Sequence, residues 1–160
     1  MTIRPLRADD RAAVMAMLAR TGSFTNEEVA TALELMDAWV VEGDASGYLT
    51  FVATAPPADE AILGYVCFGP APLTDGTYDL YWIAVDPHTQ GRGVGRRLLA
   101  FAESEIAGCG GRLVLIETSS QASYQATARF YERCGYALAA RIDNYYRVGD
   151  DKLIFAKTLT

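Results

Sequence analysis

Gln90-Gly91-Arg92-Gly93-Val94-Gly95-Arg96-Arg97 decides how this chain is read. A β-rich run, 78–85, precedes it, and Val94, Leu98, Ala102 and Ile106 recur after it at the spacing of one helical face. The segment therefore turns a strand into a helix. Its three glycines allow backbone conformations that a side chain forbids and let a bulky anion approach main-chain amides. At a helix start those amides lack intrahelical acceptors, and the macrodipole strengthens their attraction for negative charge. Arg92, Arg96 and Arg97 add positive charge, so the stretch reads as a pyrophosphate cradle. The alternative is a glycine-rich turn that only lets strand and helix pack closely.

Two other glycine motifs do not fit. A P-loop requires a Lys-Ser/Thr pair after its last glycine, and none follows here. In the dinucleotide fingerprint Gly-x-Gly-x-x-Gly, the third glycine position is Arg96 counting from Gly91 and Leu98 counting from Gly93. Gln-x-x-Gly-x-Gly does fit, as Gln90, Gly93 and Gly95. With that pattern between a strand and a helix, the chain resembles the GNAT superfamily of acetyl-CoA-dependent N-acetyltransferases. The resemblance implies acetyl-CoA as co-substrate, with its pyrophosphate held by Gln90, Gly91, Arg92, Gly93, Val94, Gly95 and Arg96.

The rest of the chain agrees with that order of elements. Residues 2–5 predict a strand, followed by a helix opened by Asp9 or Asp10 with Val14, Met17 and Leu18 on one side. Thr25 with Glu28 three residues later predicts a capping box, and Val29, Leu33, Met36 and Val40 form the stripe of a second helix. Residues 48–55 and 61–69 read as antiparallel strands around the turn-rich 56–60. Residues 93–107 then form a crossover helix to a strand at 112–118, the connection of a parallel pair. A helix at 124–134 stopped by Gly135 and strands at 136–142 and 152–159 close the chain. The expected fold is α/β (mixed α+β): about four helices and a central, mostly antiparallel sheet of about seven strands. By resemblance the sheet is GNAT-like and splayed at its parallel pair.

With 160 residues the chain is sized for a single domain, 1–160. It is 51% hydrophobic, yet no apolar run approaches the roughly 20 residues of a membrane span, and residues 1–10 carry no apolar signal core. The expectation is a soluble, cytoplasmic protein with no membrane partner. A net charge of −6 gives no basic surplus for nucleic acid and weakly favours amines. Cys67, Cys109 and Cys134 have neither disulfide nor zinc spacing, so no metal is expected and the thiols read as buried and reduced. A Cys134–His88 nucleophile is a minor alternative.

A second motif, Ala128-Arg129-Phe130-Tyr131-Glu132-Arg133-Cys134-Gly135-Tyr136, resembles the family's aromatic-Tyr signature followed by Gly-aromatic. Tyr124, Thr127 and Tyr131 fall at i, i+3 and i+7 and share a helix face, which an ordinary amphipathic helix packing its tyrosines on the sheet would also explain. By resemblance Tyr124 and Thr127 lie along the cofactor arm, although the family often has asparagine where Tyr124 stands. The resemblance also makes Tyr131 the proton donor to the departing thiolate; a phenol is protonated at neutral pH. It places the oxyanion-binding amides at Ile83, Ala84 and Val85.

Two acids compete for the base. Asp79 shares a strand face with Tyr81, Ile83 and Val85 and stands where some relatives carry a catalytic Glu. Glu117 follows the apolar Leu113-Val114-Leu115-Ile116, and burial there would raise its pKa. Solvent is a third route, and either acid would also suit a substrate ammonium. Residues 143–152 read as a polar loop whose tyrosines and acids line an acceptor pocket or form a solvated hairpin.

The function implied is acetyl transfer to a primary amine by direct attack in a ternary complex, on a small molecule or on a protein amine. A CoA-binding sensor without turnover and a nucleotide-binding α/β domain are the rivals. A homodimer through the closing strands is one reading of the apolar C-terminal segment.

Overall fold

The computed structural model describes residues 1–56 and 61–159. From Pro57 to Glu60, the turn expected at 56–60 lies outside the described residues. The elements in chain order are β1 (Thr2–Pro5), α1 (Arg11–Thr21), α2 (Asn26–Glu42), β2 (Leu49–Thr54), β3 (Ile62–Pro70) and β4 (Thr77–Val85). They continue with α3 (Val94–Gly108), β5 (Leu113–Ser119), α4 (Gln125–Arg133), β6 (Ala137–Arg147) and β7 (Asp150–Thr158). The strands form a seven-stranded sheet in the order β1-β2-β3-β4-β5-β7-β6. β4 and β5 are the parallel pair, and the pairs β1/β2, β2/β3, β5/β7 and β6/β7 are antiparallel. This is the mixed α/β architecture expected from the sequence, with four α-helices among the described residues.

The chain divides into two compact units, Met1–Gly69 with Tyr81–Ser104 and Pro70–Leu80 with Glu105–Thr160. In the first, alternation along β2 sends neighbouring side chains to opposite faces. Val52 joins Val14, Met17, Leu18, Ala32, Met36, Tyr65, Cys67 and Ala84 in a core under α1 and α2. Phe51 points the other way, stacked on Phe68 and edge-on to Phe101 of α3. The capping box of α2 is formed: Glu28 N–H donates to Thr25 Oγ1, and Thr25 N–H to Glu28 Oε2. Gly64 of β3 faces α3, where a Cβ would lie 2.8 Å from the Ala84 carbonyl oxygen and 2.8 Å from Leu98 Cδ1.

In the second unit Val114, Ile116, Phe155, Tyr131 and Tyr136 are buried, with the Tyr131 ring 5.9 Å from that of Phe155. Here the structure corrects the sequence reading of the C-terminal hairpin. β6 runs to Arg147 and β7 starts at Asp150, so most of the loop expected at 143–152 is strand. Register shifts between Leu138 and Ala140 and between Ile142 and Arg147 break the two-residue alternation by which a strand is recognised. Asn144 sits at φ 54°, with Asp151 accepting its N–H and its own Oδ1 accepting from Gly149 N–H.

Among the described residues no helix is long and apolar enough to cross a membrane. Nor is any group of three His, Cys, Asp or Glu side chains among them placed to hold a metal ion. The three cysteines are free, but the expectation that all are buried is wrong. Cys67 is buried, Cys134 is partly covered, and Cys109 is exposed in the polar turn after α3. Burial pushes the Cys67 thiol up to about 12, whereas Thr50 Oγ1 beside it acts in the opposite direction.

Candidate active site

The glycine loop in the first unit starts where β4 ends. Asp86 N–H donates to the Leu63 carbonyl of β3, and the Asp86 carboxylate accepts from His88 N–H, which shapes the turn Pro87–Thr89. Arg92 N–H then donates to the Thr89 carbonyl and Arg97 N–H to the Gly93 carbonyl. The latter is the first i→i−4 bond of α3, so the amides of Val94, Gly95 and Arg96 have no intrahelical acceptor. Gly91 (φ 78°) and Gly93 (φ 77°) hold the left-handed conformation that glycine adopts without steric cost. A Cβ at either would meet nothing within 4 Å, so the backbone there is open to an approaching group. Gln90, Arg92, Arg96 and Arg97 are exposed, whereas Val94, Leu98, Ala102 and Ile106 are buried as the helical spacing predicts.

Asp86 was not among the sequence-derived site residues. Its carboxylate also accepts from Arg20 of α1 and lies 2.9 Å from His88 Nδ1. The Arg20 guanidinium, with the His88 hydrogen bonds in support and burial opposing, holds the Asp86 carboxyl down at about 2.

In the second unit the parallel register pairs Thr77–Leu80 with Leu113–Ile116; the rest of β4, with Ile83, Ala84 and Val85, belongs to the first unit. Asp79 lies opposite Leu115, which puts it on the same sheet face as Glu117 two residues on. Through Ser119↔Lys152 and Glu117↔Ile154 that face continues onto Lys152 of β7. Lys152 Nζ lies 2.6 Å from Glu117 Oε2 and 4.3 Å from the centroid of the Tyr145 ring, which in turn meets Tyr146 edge-on. Glu117 is therefore not the buried acid expected from its apolar neighbours. Its side chain is half exposed and engaged by Lys152, because the alternation that buries Val114, Ile116 and Thr118 turns Glu117 to the less covered face.

Asp79 is half-buried, and desolvation, reinforced by the Glu117 carboxylate, raises its pKa, with Lys152 opposing. Burial works against the Lys152 ammonium, but Glu117 and Tyr145 outweigh it and raise its pKa. A polar network supports this end of the sheet. Ser119 Oγ and Gln121 Nε2 donate to the buried Asp150 carboxylate, and Asp151 N–H donates to Ser120 Oγ.

Tyr131 lies on the opposite face of β5 and β7 from this cluster, with Phe155 (opposite Ile116) beneath it. It is 5% exposed, and burial, followed by the Cys134 thiol, raises its phenol well above the ordinary tyrosine range. Thr127 is in α4, but Tyr124 belongs to the 3-10 turn Ala122–Tyr124 before it, so the helical register expected from Tyr124 starts only at Gln125. Lys152 and Asp86 went unnoticed as site residues because their partners come from strand register and tertiary packing.

A family model for the acetyltransferase (GNAT) domain matches residues 39–138, well over half of the chain. A GNAT-family protein of known structure from Desulfovibrio desulfuricans is 43% identical, with 99% of each chain covered and a TM-score of 0.95. A mycothiol acetyltransferase from Mycobacteroides abscessus is 41% identical over 64 residues, 40% of this chain, and the match spans only 21% of that relative's length. An aminoglycoside 6'-N-acetyltransferase solved with coenzyme A shares the fold, at 16% identity and a TM-score of 0.76 over 99% of this chain and 97% of that one.

Proposed function

The chain belongs to the GNAT acetyltransferase family, and we propose that it is a cytoplasmic, single-domain enzyme, residues 1–160, that moves the acetyl group of acetyl-CoA to a primary amine. One observation carries this reading: an open, positive-φ glycine loop delivers the unpaired amides of Val94, Gly95 and Arg96 at the start of a 15-residue helix. Such amides suit a diphosphate, with Gln90, Gly91, Arg92 and Gly93 contributing backbone and charge around it. Tyr124 and Thr127 line the cofactor arm.

The acceptor is a small amine. Its nitrogen must be neutral to attack, and Asp79 is the base. Desolvation raises its proton affinity, and the alternative acid, Glu117, is occupied by Lys152. The nitrogen adds to the thioester carbonyl, and backbone N–H groups at Ile83–Val85 receive the oxyanion. The oxyanion then collapses, so that the C=O bond re-forms as the C–S bond breaks and the thiolate leaves. Tyr131, whose burial keeps it protonated throughout the neutral range, supplies the proton that the departing thiolate takes up.

The test is titration calorimetry with acetyl-CoA, followed by thiol release with a panel of small amines and protein N-terminal peptides. Heat with the coenzyme and turnover on a small amine, abolished in Asp79→Asn and lowered in kcat by Tyr131→Phe, are the expected results. Binding without turnover on any acceptor would make the protein a coenzyme sensor, and no heat at all would remove the reading.

A further inference from the structure

We infer that Asp86 positions the glycine loop for the coenzyme and that Arg20, reaching from α1, holds Asp86 in place. This rests on the reading of the loop as a diphosphate grip. Asp86 stands directly after β4 and is 7% exposed, and each of its polar atoms is engaged. Its N–H donates to the Leu63 carbonyl at 2.9 Å, and its carbonyl accepts from Thr89 N–H at 2.9 Å and Thr89 Oγ1 at 3.0 Å. Oδ1 accepts from His88 N–H and faces His88 Nδ1, both at 2.9 Å, and Oδ2 accepts from Arg20 Nη2 at 2.5 Å. α1 and the turn before the loop thus converge on the Asp86 carboxylate, while β3 holds its backbone N–H.

From that anchor the chain proceeds by short turns to the helix start: Gln90 N–H to the Pro87 carbonyl, Arg92 N–H to the Thr89 carbonyl, Arg97 N–H to the Gly93 carbonyl. Gly91 and Gly93 contribute no side chain to hold the loop, so its placement is inherited from the residues before it. A buried carboxylate that loses its cation is left with its desolvation uncompensated, and the turn that carries it must shift toward water. Small displacements of a binding group are costly, because amide donors act only over a narrow range of distance and angle. Arg20 is a positioning residue in this scheme. It acts on the coenzyme only through Asp86.

The experiment compares Arg20→Gln, Arg20→Lys and Asp86→Asn with the wild-type protein, measuring the Kd for CoA by calorimetry, KM and kcat for acetyl-CoA, and thermal unfolding. Arg20→Gln alters a half-exposed side chain and should leave the fold intact. It and Asp86→Asn should each raise Kd and KM about tenfold, the scale of a lost hydrogen bond to a charged group, with kcat changing less than about twofold. Arg20→Lys should recover part of the loss, and Arg20→Gln combined with Asp86→Asn should cost little more than either alone. A purely structural pair would lower Tm and leave the Kd of the folded protein untouched. That result, in a wild-type background that binds CoA, overturns the inference, whereas a wild-type protein that fails to bind CoA removes the loop reading itself.

Discussion

Replacing Gly64 by alanine puts the close approach of α3 to the sheet to a direct test. The added Cβ would lie 2.8 Å from the Ala84 carbonyl oxygen, 2.8 Å from Leu98 Cδ1 and 3.3 Å from Val94 Cγ1. The leucine methyl can move, but the carbonyl belongs to the backbone of β4 and cannot retreat without disturbing the sheet. Overpacking of this kind costs about 1–3 kcal/mol, and the lower chain entropy of unfolded alanine returns about 0.4–1 kcal/mol. The net destabilisation should be about 1–2 kcal/mol. At about 2–4 °C per kcal/mol for a chain of this size, Tm should fall by about 2–8 °C, read by calorimetry and by the urea midpoint at unchanged m-value. Val94 and Leu98 occupy the first turns of α3, so the same substitution should also weaken coenzyme binding. An unchanged or raised Tm would refute the packing argument, since the entropic term alone is stabilising.

Other substitutions separate the remaining ideas. Tyr65 is fully buried with no hydrogen-bond partner for its hydroxyl, so Tyr65→Phe should leave stability unchanged or raise it in chemical denaturation; a loss above about 1 kcal/mol would mean the hydroxyl is satisfied. Asp86 has a lowered pKa, so the stability it contributes is complete above its ordinary value of 3.8 and is lost as the pH falls through about 2. The stability difference between wild type and Asp86→Asn should therefore narrow over that window in urea titrations. For the base, the Glu117 carboxylate raises the pKa of Asp79 and the Lys152 ammonium lowers it. Glu117→Gln should move the acid limb of kcat/KM to lower pH and Lys152→Met to higher pH; shifts of the same sign would exclude Asp79 as the titrating group.

The glycine loop and α3 were legible in the sequence because both signals are local. Glycines at fixed spacing mark the loop, and Val94, Leu98, Ala102 and Ile106 mark one helical face. Thr25 and Glu28 announced α2 for the same reason, since a capping box lies within four residues. Glu117 was misread because a run of apolar residues does not say which strand face is covered. Only the pairing with β7 reveals that Lys152 meets it. Arg20 and Asp86, separated by 66 positions, share no pattern that a scan along the chain could find. The C-terminal end of β6 was missed because the register shift after Ile142 erases the periodicity by which strands are recognised.

Those same shifts matter beyond the hairpin. β6 is eleven residues long, lies at the rim of the sheet and exposes every residue, including Leu138 and Ile142. A straight rim of that length would be a ready template for runaway fibril growth. The two irregularities leave only the short runs Ala137–Leu138 and Ala140–Ile142 in uninterrupted step with β7, and Arg141, Asp143 and Arg147 place charges along the bend. The distortion that hid this strand from pattern reading thus also breaks the regular row of backbone groups that an added strand would need.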